Sequence, residues 1–234
     1  MKAVGIVLVI FAYICYAVFV LRVIWRIVLL LKIRENRSPA PQYGGFQGRT
    51  TFITMLKMGR DIVLLARLFR VNPLLWIGEW TFHAVFILVL VRHLWFIVDN
   101  PSDWLLNLES LGGIAGYLLP VALIYVLIIK LAVERKKYFS TGNFILLLLL
   151  LFQSATGLTM KNFIHPDIVD IKIFISRALV FQFQPAPESW LFIIHFITAF
   201  IFLAYLPAHI FAAPLSIMEA RKQEDELDKI IHDG

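Results

Sequence analysis

Cysteine is nearly absent from this sequence, which contains only Cys15 among its 234 residues. A single thiol forms no disulfide within the chain and no thiolate cluster for zinc or iron–sulfur binding, and no C-x-x-C-H motif for covalent haem attachment is present. The sequence also lacks a glycine-rich phosphate loop, catalytic-triad spacing and a nucleic-acid-binding patch. Any metal cofactor is therefore held by side chains other than cysteine, and no nucleic-acid partner is expected.

Charged residues are scarce as well, since Asp, Glu, Lys and Arg make up only 16% of the chain while hydrophobic residues make up 60%. Soluble domains average about 25% charged and about 45–50% apolar residues. The apolar residues gather into segments near the ~20 residues that a helix needs to cross a bilayer. We therefore predict an all-α integral membrane bundle, a single domain over 1–234, with five transmembrane helices at about 4–31, 75–98, 112–133, 143–160 and 189–214.

Positive charge is concentrated on one side of the predicted bundle. The loop from Lys32 to Arg70 carries eight Lys and Arg residues against two acidic ones, whereas the loop from Asp99 to Ser110 carries three acidic residues and no Lys or Arg. By the positive-inside rule the first loop is cytoplasmic. We predict a multi-pass protein of a prokaryotic cytoplasmic (inner) membrane, with its N-terminus outside and its C-terminus in the cytoplasm. The first segment is too long for a cleaved signal peptide and is expected to be retained.

Three further segments are predicted to lie outside the hydrocarbon. Residues 51–71 form a basic amphipathic segment on the cytoplasmic face, which either binds anionic lipid or docks a soluble electron-transfer partner. Residues 164–183 are expected to lie as a short helix along the outer surface and to cover a cavity mouth. Residues 219–234 form a charged cytoplasmic tail.

Four histidines lie in the second and the last hydrophobic segments, two in each. His83 and His93 are separated by about 15 Å of helix rise and about 80° of rotation, and His195 and His209 by about 21 Å and about 40°. Because these helices are antiparallel, His83 pairs with His209 near the cytoplasm and His93 pairs with His195 near the outside. The two spacings differ by about 6 Å, which helix tilt and a bend at Pro207 must absorb.

Two bis-histidine sites at two depths fit b-type haem, a six-coordinate electron carrier without an open iron position. Zinc prefers four ligands around one site. A proton relay is expected to add carboxylates inside the membrane, where this chain offers only Glu79, close to the inner end of its helix. We therefore predict two haems b, with His83 and His209 binding the inner iron and His93 and His195 binding the outer iron.

The four histidines belong to a longer sequence pattern that also includes Gln153 and Gly157 in the fourth segment and two prolines in the last segment. Its positions are His83, His93, Gln153, Gly157, Leu158, His195, Pro207, His209 and Pro214. From Leu75 to Leu215 this pattern resembles the membrane (gamma) subunit of respiratory nitrate reductase and its relatives in heterodisulfide reductase and sulfite-reduction-linked complexes. The resemblance implies two haems b on the four histidines, quinol oxidation near the outer haem, and electron transfer to a cytoplasmic iron–sulfur subunit.

Two departures separate the chain from the nitrate reductase branch of that family. That branch places its last histidine where Ala213 stands here, and it has a lysine near the start of the third helix, whereas Asn107–Tyr117 contains none. The resemblance is therefore closer to the relatives in heterodisulfide reductase and sulfite-reduction-linked complexes.

The predicted function is that of a dihaem cytochrome b subunit of a quinol-linked oxidoreductase complex. Menaquinol or ubiquinol is oxidised near the outer face, and electrons pass to a cytoplasmic iron–sulfur partner. One alternative is reversed electron flow, from an outer cytochrome c to quinone. An alternative of another class is a haem-free transporter or assembly subunit. Membrane lipid and further membrane subunits are also predicted partners.

Two additional sets of residues are predicted to serve these cofactors. Haem propionates are anions, and basic side chains expected near them are Arg22, Arg26 and Arg92. A quinol site near the outer haem is expected to use space beside glycines, an aromatic ring and a polar side chain: Gly112, Gly116, Trp95 and His165.

Overall fold

The computed structural model describes residues 1–35, 56, 59–61, 63–98, 100–133 and 141–232. Throughout this part of the chain the regular structure is helical and no strand occurs. The α-helices are α1 (Lys2–Glu35), α2 (Ala66–Val71), α3 (Pro73–His93), α4 (Asp103–Asn107), α5 (Glu109–Val133), α6 (Thr141–Thr159), α7 (Ile168–Leu179) and α8 (Trp190–His232). A 3₁₀ turn, Leu94–Phe96, follows α3, and a π-helical turn, Met160–Ile164, follows α6.

Within the described residues, five helical stretches are long and apolar enough to cross a membrane: Lys2–Leu29, Pro73–Phe96, Glu109–Ala132, Thr141–Ile164 and Trp190–Phe211. This confirms the predicted all-α architecture with five spanning helices. Two helices are longer than the predicted segments, because α1 continues to Glu35 and α8 continues to His232. Residues 219–232, predicted as a tail, therefore continue the last helix. Of the predicted segment 51–71, residues 51–55, 57, 58 and 62 lie outside the described residues.

The start of α3 is defined by two residues whose chemistry suits a helix N-terminus. The side chain of Asn72 accepts a hydrogen bond from the backbone N–H of Leu75 at 3.0 Å, which satisfies one of the free donors in the first turn. Pro73 follows at the first helical position, where its missing N–H costs nothing. This cap sets where the helix begins and hence the depths at which its histidines lie.

The spanning helices pack as a chain of neighbours in which the two histidine-bearing helices contact different partners. Helix α3 packs most extensively on α5, and α8 packs on α1 and α6. One buried cluster joins α3, α5, α6 and α8 and is centred on Leu123 and Val126 of α5. A second cluster joins α1, α7 and α8 around Val9 and Phe174. The packing positions α3 opposite α8 while their main contacts are made elsewhere.

Helix α7 occupies most of the segment 164–183 that was expected to form a short helix. The side chain of Asp167 caps it by accepting hydrogen bonds from the backbone N–H groups of Val169 and Asp170. Phe174 packs edge-on against Phe192 at a centroid distance of 6.0 Å and so attaches α7 to α8. The Tyr13 hydroxyl donates to a carbonyl of α7, that of Ala178, which ties α7 to α1 as well.

The close approach of α3 to α5 at Gly78 generates a prediction about stability. A Cβ at Gly78 would lie 2.6 Å from Cδ1 of Tyr125 and 2.9 Å from Cγ2 of Val126. We expect Gly78→Ala to cost about 1–3 kcal/mol through overpacking and to lower the unfolding temperature measured in detergent. In the matched control Gly116→Ala, the new Cβ meets no described atom within 4 Å, so that variant should be neutral or stabilised through helix propensity. An equal rise in unfolding temperature for both variants would contradict the packing at Gly78.

Candidate functional site

Two pairs of histidines face each other between α3 and α8. The rings of His83 and His209 have centroids 6.4 Å apart and planes that differ by 15°. The rings of His93 and His195 are also 6.4 Å apart, with planes that differ by 12°. The structure thus brings together the same two pairs that the antiparallel topology predicts, in nearly the same geometry at two levels of the bundle.

The two histidines of α3 hydrogen-bond to their own helix. Nδ1 of His83 lies 2.6 Å from the carbonyl oxygen of Glu79, and Nδ1 of His93 lies 2.7 Å from that of Val89. Because a carbonyl oxygen only accepts, Nδ1 carries the proton in both rings. The lone pair of each ring is therefore on Nε2, the nitrogen available to bind a metal.

The two histidines of α8 are oriented by a neighbouring helix, α6. Nδ1 of His195 lies 2.9 Å from the hydroxyl of Thr156, and that hydroxyl donates its own hydrogen to the carbonyl of Gln153 at 2.9 Å. The Thr156 oxygen is therefore left to accept from the His195 ring. Nδ1 of His209 lies 3.4 Å from the amide oxygen of Asn143, which also accepts. All four rings thus share one tautomer, with Nε2 unprotonated.

The predicted pattern Gln153-x-x-x-Gly157 forms the contact that seats His195. The Gln153 side chain donates from Nε2 to the carbonyl of His195 at 3.1 Å, and its Oε1 accepts from the Thr198 hydroxyl at 2.5 Å. Gly157 lies against the imidazole, since a Cβ there would be 3.3 Å from Cε1 of His195. The sequence identified these two positions but missed Thr156 and Asn143, because isolated polar residues in helices are usually packing contacts.

An aromatic contact joins α3 and α8 between the two histidine pairs. Phe86 of α3 meets Phe202 of α8 edge-on, with centroids 5.8 Å apart. Phe86 lies between His83 and His93 in the sequence, and Phe202 lies between His195 and His209. The two histidine pairs are therefore separated by an apolar contact and form two distinct sites.

A half-buried ion pair lies beside the His83–His209 pair. Nζ of Lys130, on α5, is 2.7 Å from Oε1 of Glu79, and the two side chains are only 18% and 13% exposed. The other carboxylate oxygen of Glu79 lies 3.9 Å from Nδ1 of His83. Glu79 was recognised from the sequence, but its partner was not, because Lys130 is distant along the chain and on a helix without histidines.

Two of the three arginines predicted to meet propionates have other contacts in the structure. Arg22 donates to the backbone carbonyl of Ala204 at 3.0 Å. Arg92 donates to the Glu109 carboxylate at 3.1 Å. It also packs against Gly112, where an added Cβ would lie 2.8 Å from Cβ of Arg92. Arg26 is half-buried on α1. Contact of these three arginines with propionates stays a prediction.

The residues predicted for a quinol site are only partly brought together. Trp95 lines a cavity of about 590 Å³ whose other walls come from α7 and the residue that follows it; its lining residues are Trp95, Val169, Lys172, Ile173, Ser176, Arg177 and Val180. The ammonium of Lys172 lies 4.5 Å from the centroid of the Trp95 ring. Gly112 contacts Arg92 instead, and a Cβ at Gly116 would meet no described atom within 4 Å. His165 is exposed and is not among the lining residues.

The sequence placed Lys172 and Arg177 in a helix over a cavity mouth but assigned neither of them, nor Ser176, to the quinol site. Lys172 and Ser176 are one turn apart on α7, the helix whose buried face carries Ile171 and Phe174. The alternation of apolar and charged residues predicted a surface helix, but it did not predict which polar side chains point toward Trp95. The only available signal was that the polar positions recur every four residues.

Each histidine pair places two imidazole rings 6.4 Å apart, with one ring nitrogen of each left without a described acceptor or donor. Among the described residues, no three His, Cys, Asp or Glu side chains come together as metal ligands. A protein-only tetrahedral site is therefore not formed there, and the donor set suits a metal whose other ligands come from a cofactor. The fold and the site define an all-helical multi-pass membrane protein with two pairs of neighbouring histidines between α3 and α8.

Comparison with known proteins agrees with this class. The chain is 27% identical over 242 residues to the Hdr-like menaquinol oxidoreductase cytochrome b-like subunit of Archaeoglobus profundus. This match covers 83% of this chain and 71% of that relative. It is also 27% identical over 150 residues to the protein of the same name from Archaeoglobus fulgidus, covering 57% of this chain and 45% of that relative. No family model and no solved structure matches the chain. The two names confirm the resemblance to heterodisulfide reductase-like relatives.

Proposed function

We propose that this chain is the dihaem cytochrome b subunit of a complex that oxidises menaquinol. The observation that carries the proposal is the 6.4 Å separation of nearly parallel imidazoles in both histidine pairs. A histidine nitrogen lies about 2 Å from a metal ion, and its ring centre lies about 1 Å further away, so two imidazoles on opposite sides of one iron have centres about 6 Å apart. Both pairs fit this spacing.

The hydrogen bonds of the four rings support the same assignment. A histidine that binds a metal through one nitrogen donates its other N–H to a carbonyl, carboxylate or similar acceptor, which fixes its tautomer and raises its basicity. Here every Nδ1 has such an acceptor, from Glu79, Val89, Thr156 or Asn143. When bound, haem supplies one-electron transfer at an iron with no open position. The protein contributes ligand orientation and an apolar surrounding.

The proposed quinol site is the cavity beside the His93–His195 pair. Trp95 is two residues from His93, and the cavity of about 590 Å³ is within the range of small-molecule sites. In our proposal the Trp95 ring packs against the quinol ring, and Lys172 and Ser176 hydrogen-bond to its oxygens. With the N-terminus outside, as the loop charges favour, protons released there reach the outer medium without crossing the membrane.

The proposed acceptor of the electrons is a cytoplasmic iron–sulfur subunit. The two relatives are named as subunits of a menaquinol oxidoreductase, and their names supply the quinol in this proposal. The histidines of α3 are about 15 Å apart along the helix axis, so the two centres divide the membrane into short transfer steps. The His83–His209 centre is then the exit toward the cytoplasmic partner.

The histidine pairing predicts which haem each variant loses. We expect two non-covalent haems b per chain by pyridine haemochrome assay. His93→Ala and His195→Ala should each remove one and the same component from a redox titration, and His83→Ala and His209→Ala the other. His165→Ala, an exposed histidine, is the control and should retain both. A stoichiometry near one, or loss of a common component in His83→Ala and His93→Ala, would overturn the assignment.

The cavity predicts a selective defect in quinol binding. We expect Lys172→Met to raise the KM for a soluble menaquinol analogue about tenfold, as loss of one charge-assisted hydrogen bond would, in assays that follow haem reduction. The matched control is Lys161→Met, which removes an equal charge from a lysine that packs 4.8 Å from the Tyr117 ring centroid, outside the cavity. A defect in Lys161→Met with normal Lys172→Met would move the site to the surface between α5 and the π-helical turn.

A further inference from the structure

The two histidines of α3 make the same hydrogen bond to their own helix, but the residue that supplies the carbonyl is charged for only one of them. Each ring donates from Nδ1 to the carbonyl of the residue four positions earlier, at 2.6 Å for His83 and 2.7 Å for His93. That earlier residue is Val89 for His93, but it is Glu79 for His83. The helix therefore repeats the same ligand arrangement twice and adds a carboxylate at only one of the two sites.

The carboxylate of Glu79 is held close to the His83 ring by a cation from another helix. Lys130 of α5 lies 2.7 Å from one carboxylate oxygen, while the other oxygen lies 3.9 Å from Nδ1 of His83. Both side chains are mostly buried, so water screens their charges weakly. Neither charge is a ligand of the proposed iron, yet both act on the ring that is.

We propose that the Glu79 carboxylate and the Lys130 ammonium shift the reduction potential of the His83–His209 centre in opposite directions, and that Lys130 cancels the effect of the carboxylate. This inference rests on the proposed function, because it requires a haem at each pair. The Glu79 carboxylate favours the oxidised, more positive iron, and the Lys130 ammonium favours the reduced iron. The positive charge of Lys130 therefore offsets the negative charge of Glu79, which by itself would make reduction of this centre less favourable. Both are positioning and tuning residues, since they act through His83.

The opposite signs of the two charges make the test specific. In optical redox titrations of the purified full-length protein, Glu79→Gln should raise the midpoint potential of the His83–His209 haem, and Lys130→Met should lower it. The double variant Glu79→Gln/Lys130→Met should return close to the unmodified value, because the pair is nearly neutral. The His93–His195 haem is an internal reference whose midpoint should stay constant in all three variants. A structural defect alone would not move one midpoint in two opposite directions.

Two control variants separate charge from packing. Lys130→Arg keeps the positive charge and should restore the potential that Lys130→Met loses. Glu109→Gln removes an equal charge from the exposed partner of Arg92 and should leave the His83–His209 midpoint unchanged. If Glu79→Gln alone lost haem, the comparison of Lys130→Met with Lys130→Arg would still decide the question.

The outcomes distinguish this inference from the proposed function. Absence of haem from the unmodified protein would remove the proposed function itself. Three outcomes with full haem content would overturn the tuning role alone. The midpoints could stay unmoved, both single variants could shift in the same direction, or both haems could shift equally. Equal effects of Lys130→Arg and Lys130→Met would do the same, because they would show that charge at this position is not what matters.

Discussion

Every imidazole inside a membrane has two ring nitrogens that must find partners without water. In this protein one nitrogen of each ring is satisfied by a carbonyl, a hydroxyl or an amide oxygen, and the second faces the ring of a histidine on another helix. In both pairs the rings lie 6.4 Å apart. A rotation of α3 or α8 would separate the rings of each pair, and a rotation of α8 would also break the contacts of its histidines with Thr156 and Asn143.

A helix without any of the four histidines controls how two of them are aimed. Helix α6 supplies Thr156 and Asn143 to the rings of α8, and its Gln153 joins the backbone and side chains of that helix. Gly157 provides the space in which His195 lies. Orientation by such neighbouring groups fixes the tautomer and basicity of a metal-binding histidine. Helix α6 is therefore part of the proposed centre although it offers no ligand.

Charged residues inside the spanning helices are likewise positioned by tertiary contacts. Proline at position 207 has no N–H, and its ring crowds the carbonyl four residues earlier, at Leu203. The adjacent carbonyl of Ala204 accepts a hydrogen bond from Arg22 of α1. This contact gives the Arg22 guanidinium a partner and links α1 to the proline-containing part of α8. Lys130 of α5 and Glu79 of α3 likewise give each other an oppositely charged partner.

The sequence by itself determined the five membrane-spanning helices, because hydrocarbon thickness sets the length of each apolar segment. It also determined the two histidine pairs, because antiparallel helices with residues on one face admit a single order of depths. Only the tertiary structure decided which groups of other helices surround the pairs, including Thr156, Lys130 and the α7 residues beside Trp95. These contacts depend on the rotation of each helix about its axis. In a segment that is apolar on all sides, hydrophobic periodicity does not specify that rotation, and packing against the neighbouring helices does.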